Sequence, residues 1–399
     1  QPSWDAFREV LGGTTSGIPR WFFTFLGVKS LVGMPPLYGT HPEFAMSEQD
    51  RPQNSDPAPV GETEAVIVGI DGSPPSRNAL AWAIQEARSL GRPIRLVGAY
   101  TIPSVAAAAI DVSYVPIDDS SIRAAVTNTL KEAAAEVKAA GVPVEAVIEI
   151  GDAAGVLIDE SKTGCLTVVG SRGRGGFAGR LLGTVSSALP AHSACPTVVV
   201  PACWDNQAER PAHPTSSRPI RQDGIEVETH DPDAESIEGL RFDGKVVVGV
   251  DSLGAESPAL WKAARLAVRR GSPLHIVAVI TTTVIGPEWL PSTADLERLV
   301  NEGADKLVVA KQRLAEEFPD LDVTWTLFDG QPAEVLVRAS DTAEVLVIGS
   351  RGRGGFAGLL LGSTSQSVLP YSQCPTMVVR VARDHGRRKH NEAPPEPGL

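Results

Sequence analysis

Apolar residues in this chain fall into short unbroken runs, separated by stretches with helical spacing. Ala65–Ile70 is one such run. Ser76–Leu90 follows it, with Leu80, Ile84 and Ala87 recurring at helical intervals before Gly91. The same alternation predicts strands at Ile94–Tyr100, Val144–Ile150, Leu166–Val169 and Thr197–Val200. Helices are predicted at Ile122–Ala140, Ala153–Ser161 and from about Thr184 to Ala191. A second series has strands at Val246–Val250, Leu274–Ile280, Val323–Leu327, Val345–Ile348 and Thr376–Val379. Mostly non-alternating apolar strands, interleaved with helices, predict an α/β fold whose parallel sheet is covered on both sides.

The two series are copies of each other. Gly170–Gly183 reads GSRGRGGFAGRLLG and Gly349–Gly362 reads GSRGRGGFAGLLLG, thirteen of fourteen positions agreeing at an offset of 179. AVIVGIDGS (Ala65–Ser73) matches KVVVGVDSL (Lys245–Leu253) at 180, and CPTVVVP (Cys195–Pro201) matches CPTMVVR (Cys374–Arg380) at 179. A period this long is a duplicated domain. Each copy ends in a candidate edge strand, Thr197–Val200 or Thr376–Val379, so the copies are expected to pair as an intrachain pseudo-dimer. The expected boundaries are an extension at 1–63, a first domain at 64–204, an acidic linker at 205–243, a second domain at 244–382 and a disordered tail at 383–399.

Composition refines this picture at the ends. Residues 1–45 hold eight of the 21 aromatics, and Met46-Ser47-Glu48 then opens a polar leader. That break is read as residues upstream of the natural start, against the alternative of a partner- or membrane-surface arm. The apolar run Trp21–Met34 is interrupted by Lys29 and falls short of a spanning helix, so no transmembrane segment is expected. Asp205–Leu240 carries nine acids against three arginines, with several prolines, and predicts a mobile linker. A net charge of −12 argues against nucleic acid as a partner. Four scattered cysteines in 399 residues exclude a disulfide framework and indicate a cytoplasmic protein.

The candidate chemistry sits where the fourth strand of each copy ends. Gly170, Gly173 and Gly183-Thr184 give the spacing G-x2-G-x9-G-[ST], repeated by Gly349, Gly352 and Gly362-Ser363. Glycines let backbone N–H groups approach a ligand closely, and the helix N-terminus that follows is an anion seat. Val185 and Ser186, with Thr364 and Ser365, open that helix. Arg172, Arg174 and Arg180, with Arg351 and Arg353, add cations or form a solvated rim. A side chain at Gly183 is expected to intrude on the cradle and to penalise any positive φ there.

At these residues the chain resembles the universal stress protein family, in its tandem two-domain form, over about Glu64–Pro201 and Gly244–Ala382. The resemblance implies two Rossmann-like domains of the adenine nucleotide α-hydrolase-like type, each a five-stranded mainly parallel sheet flanked by helices. It implies that the glycine spacing is an ATP-binding signature. Asp71 and Asp251 would contact the adenosine end, and Ala99 and Val279 would line the adenine pocket. Gly170, Gly173, Gly183 and Thr184, with Gly349, Gly352, Gly362 and Ser363, would hold ribose and phosphates. Ala99 departs from the family's usual valine, which would loosen adenine contact in the first copy. The implied ligand is ATP (or AMP or ADP), with Mg²⁺ as its companion ion.

Other readings stand beside these. Asp71 and Asp251 could cap the helix that follows, with or without a ligand role. Cys195, Cys374, Trp82 and Trp261 read as core. No G-x4-G-K-[ST] occurs, and the stretch Arg180–Pro201 lacks the acid that a dinucleotide fingerprint requires. His192 and His275 are unmatched between the copies, and no G-x-S-x-G elbow occurs. The sequence therefore favours a nucleotide-responsive stress regulator with an unidentified protein partner, with further homodimerisation left open. The alternatives are a slow ATPase or autophosphorylating enzyme, and a scaffold with vestigial sites.

Overall fold

In the computed structural model, which describes residues 64–102, 119–173, 182–204, 218–223, 225–226, 241–251, 256–281, 293–351 and 361–380, the apolar runs become strands of one sheet. The first copy supplies β1 (Ala65–Gly69), β2 (Ile94–Tyr100), β3 (Val144–Ile150), β4 (Gly164–Gly170) and β5 (Thr197–Val200). Between them lie α1 (Pro74–Leu90), α2 (Ser120–Ala139), α3 (Ala153–Glu160) and α4 (Thr184–His192). Two short strands follow, β6 (Arg218–Gln222) and β7 (Ile225–Glu226). The second copy gives β8 (Val246–Val250), β9 (Leu274–Ile280), β10 (Val323–Asp329), β11 (Val345–Gly349) and β12 (Thr376–Val379). Its helices are α5 (Pro258–Arg270), α6 (Thr293–Glu317), α7 (Pro332–Ser340) and α8 (Ser363–Val368).

The strands run in the order β3-β2-β1-β4-β5-β12-β11-β8-β9-β10-β6-β7. Within each copy the five strands are parallel, and alternate residues of the central strands feed opposite core layers. Val66 and Val68 pack into one layer, Ala65 and Ile67 into the other. The copies join where β5 pairs antiparallel with β12, with Val198 opposite Met377. The two candidate edge strands thus cover each other, which removes both edges from solvent.

Helix ends follow local chemistry. Ser73 caps α1 by accepting from the Ser76 amide, and Gly91 ends the helix at φ 62°, a left-handed conformation that suits glycine. Trp82 is fully buried beneath α1, while Trp261 is partly buried against Phe318. Where α1 meets α5, the buried Glu86 carboxylate accepts from Arg269 and Arg270. The Arg270 guanidinium also lies 5.1 Å over the Trp82 ring.

Part of the expected linker is ordered. β6 lies antiparallel on β10 and β7 closes the hairpin. Oδ1 of Asp223 accepts from the Trp325 amide and from Lys311, each at 3.2 Å. The mobile reading does not extend to these residues, because the edge of β10 supplies backbone partners that composition cannot reveal. The expectations for residues 1–63 and 383–399, and for Arg174, Arg180, Gly352 and Arg353, lie outside the described residues. Among the described residues no helix is long and apolar enough to cross a membrane.

Candidate functional site

In a parallel sheet, strand carboxyl ends and the following helix N-termini converge on one rim. At this rim of the first copy lies a cavity of about 530 Å³. The structure brings the nine first-copy candidates among the described residues to its wall. Asp71 follows β1, and Ala99 comes from β2. Gly170, Arg172 and Gly173 leave β4, and Gly183, Thr184, Val185 and Ser186 lead into α4. Val97 and Leu157 add apolar surface beside Ala99.

The glycine positions have different physical reasons. A Cβ on Gly170 would stand 2.6 Å from backbone atoms of Pro75, so the end of β4 presses directly on the start of α1. A Cβ on Gly173 would stand 2.5 Å from Oδ2 of Asp71. Gly183 corrects the expectation about φ. Its φ is −78° and that of Gly362 is −73°, values that any residue adopts. A Cβ there would meet nothing nearer than Ser186 Oγ at 3.4 Å. Gly183 is therefore small because it walls the cavity and leaves the start of α4 without a capping side chain.

Hydrogen bonds clamp the two ends of the loop. The Ser171 amide donates to Val200 O at 2.7 Å, while Ser171 O accepts from the Gly183 amide at 2.9 Å and from Ser186 Oγ at 2.8 Å. Asp71 is not the helix cap. Its Oδ1 accepts from the amide and hydroxyl of Ser73, at 2.9 and 2.6 Å, and thereby orients the residue that does cap α1.

The second copy repeats the scaffold. Asp251, Val279 and Gly349 occupy the corresponding strand ends, Arg351 follows Gly349, and Gly362, Ser363, Thr364 and Ser365 enter α8. The Ser350 amide donates to Val379 O at 2.8 Å, the Gly362 amide to Ser350 O at 2.7 Å, and Ser365 Oγ to Gly349 O at 2.7 Å.

Among the lining residues that the sequence did not single out are Val126 and Thr129 of α2. The available signal was Gly98 inside β2, since a glycine in a strand marks a close approach. A Cβ there would stand 2.7 Å from Val126 Cγ1. The start of α2 is tied to β2 as well, Tyr100 donating to Asp119 Oδ2 at 2.6 Å, and this hydrogen bond raises the phenol above its ordinary pKa. Cys195 and Cys374 are buried in the core, and burial pushes the Cys195 thiol upward.

Residues 62–201 and 244–380 match the family described as the universal stress protein family. A universal stress protein of Mycobacterium tuberculosis is 31% identical over 327 residues, spanning 79% of this chain and 96% of that protein. A universal stress protein of Mycolicibacterium smegmatis is 31% identical over 322 residues, with the same 79% and 96% coverage. The crystal structure of a universal stress protein from Archaeoglobus fulgidus shares the fold, with a TM-score of 0.50 at 21% identity over 79% of this chain and 96% of that one.

Proposed function

Because the chain belongs to the universal stress protein family, we propose that it is an adenine-nucleotide-binding regulator of stress responses, with domains at 64–204 and 244–382. One observation carries this reading: a single cavity is walled by apolar strand residues, a glycine loop and a helix N-terminus without a capping side chain. Its volume of about 530 Å³ suits a nucleotide-sized ligand. Val97, Ala99 and Leu157 offer an apolar wall for a base, with Asp71 near the adenosine end. Amides around Gly173, Gly183, Thr184, Val185 and Ser186 would receive phosphate oxygens, and Arg172 adds positive charge. Mg²⁺ is proposed as a companion of the phosphates. The equivalent residues of the second copy would form a second site.

The regulatory part of the proposal rests on continuity between cavity and joint. Ser171, which clamps the loop, accepts through Oγ from the Ala202 amide at 3.1 Å. Asn78 of α1 donates to Ala202 O and Trp204 O, at 3.3 and 3.0 Å. These bonds hold the segment that leaves β5, the strand joined to β12. Ligand that reorders the loop would act directly on the seam between the copies and so on a protein partner. Cys165, Cys195, Cys203 and Cys374 carry thiols rather than disulfides, which suits the reducing cytoplasm. Mass spectrometry of small molecules released from the gently purified protein tests the reading. Adenine nucleotide at up to two equivalents is expected, and a purified, folded chain that neither carries nor takes up nucleotide would overturn it.

A further inference from the structure

The sheet has two outer edges, and the chain treats them differently. At one, β6 is laid on β10 and closed by β7; at the other, β3 is the outermost strand among the described residues. The repeat offset makes Ala146 and Ile148 of β3 the counterparts of Trp325 and Leu327 of β10. In β10 the outward backbone groups are engaged, since Trp325 O accepts from the Asp223 amide at 3.2 Å and the Trp325 amide donates to Asp223 Oδ1 at 3.2 Å. In β3 the Gly151 amide donates to Tyr100 O and Pro143 O accepts from the Ile94 amide, both at 2.9 Å. Odd-numbered residues of β3 thus turn their backbone groups toward β2. By the alternation of a parallel ladder, Ala146 and Ile148 turn theirs to the open edge.

We propose that this edge of β3 is a docking site for an extended segment of a partner protein bearing arginine or lysine, which adds as an antiparallel strand. Backbone pairing would supply the affinity and side chains the selectivity. Charge argues for a cationic occupant. Glu145 and Glu149 share one face of β3; Glu149 is exposed and supplies the acid, while Glu145, half-exposed, is ion-paired with Arg95. The strand on the equivalent edge, Arg-Pro-Ile-Arg-Gln, itself carries two arginines. A second copy's β3 would instead bring glutamates of both strands together, which cross-strand pairing disfavours. Ile150, 58% exposed at the end of the strand, offers an apolar contact to the incoming segment.

Hydrogen exchange of the full chain, with a synthetic peptide of residues 217–226 (SRPIRQDGIE) as the probe, tests this. In the free chain the Ala146 and Ile148 amides should exchange at least about tenfold faster than those of Trp325 and Leu327. The peptide should slow them, and the same peptide with both arginines replaced by glutamate should not. Ala146→Pro removes an outward donor from an edge position that tolerates proline, and should abolish protection while leaving ATP titration unchanged. Should that variant fail to fold, Glu149→Arg keeps the backbone and should weaken the peptide at least about fivefold. The proposal is overturned if these amides are already protected in the free chain, or become protected only as chain concentration rises. It is equally overturned if the arginine-bearing peptide gives no protection, if both peptides protect alike, or if the folded variants respond as the wild type does.

Discussion

A Cβ built on Gly173 would stand 2.5 Å from Oδ2 of Asp71, so the Asp71 carboxylate and any side chain at that loop position compete for one space. The two residues are 102 positions apart in sequence and belong to the two halves of the ligand hypothesis, base side and phosphate side. Their contact makes the loop and the aspartate a single unit.

Gly173→Ala should therefore act through Asp71. The carboxylate must turn away, which breaks its hold on Ser73 and reshapes the cavity wall. Nucleotide binding should weaken roughly tenfold to a hundredfold, about 1.4–2.8 kcal/mol. The obstructing atom is a side-chain terminus, so stability should change by no more than about 1 kcal/mol. Calorimetric titration beside a thermal melt separates the two effects.

His275 supplies a pH dependence. The ring is 2% exposed, held between Thr324 Oγ1 at 2.7 Å and Thr326 Oγ1 at 3.1 Å. Burial lowers its pKa to about 3. An unfolded histidine takes its proton near pH 6.5, whereas the folded one resists, so stability is fully present above about 6.5 and is lost as pH falls toward 3. At pH 5 the loss should be about 2 kcal/mol. Urea denaturation at pH 7 and pH 5 measures it, and His275→Gln should remove that share of the pH dependence.

The joint between the copies depends on a buried charge. The Glu86 side chain is 0% exposed, and Arg270 reaches both it, at 3.4 Å, and Glu344, at 2.7 Å. Arg270→Ala leaves Glu86 with a single cation in a dry environment and should cost about 3 kcal/mol. The same substitution exposes one face of Trp82, so its fluorescence should redden in the folded variant. Denaturation followed by that fluorescence checks both outcomes.

Legibility in the sequence tracked how locally each feature is determined. The bounds of β8, β9 and β12 coincide with the apolar runs at Val246–Val250, Leu274–Ile280 and Thr376–Val379, because strands buried on both faces need continuous apolar sequence. The pairing of β5 with β12 was legible as two edges needing cover. The β6–β7 hairpin was not, since its order comes from the edge of β10 and from Asp223, and an acidic, proline-containing stretch carries no trace of either. Val126 and Thr129 were hidden for a similar reason: only the approach of α2 over Gly98 brings them to the cavity. A glycine motif also does not say why each glycine is there. Gly173 yields space to Asp71, Gly170 to the backbone of Pro75, and Gly183 to the cavity itself.

Gly183→Val gives the most direct test of the cradle. With φ at −78° and its nearest neighbour at 3.4 Å, the variant should keep its fold while filling space at the proposed phosphate end. A charge-assisted hydrogen bond is worth about 1.5–3 kcal/mol, so losing several should weaken the first site by at least about a hundredfold. The decisive measurement is calorimetric titration of ATP into the wild type, Gly183→Val, Gly362→Val and the double variant, with folding checked by circular dichroism. Saturable binding at up to two sites, one lost with each substitution, is the predicted result. A folded double variant that binds ATP as tightly as the wild type would contradict the account.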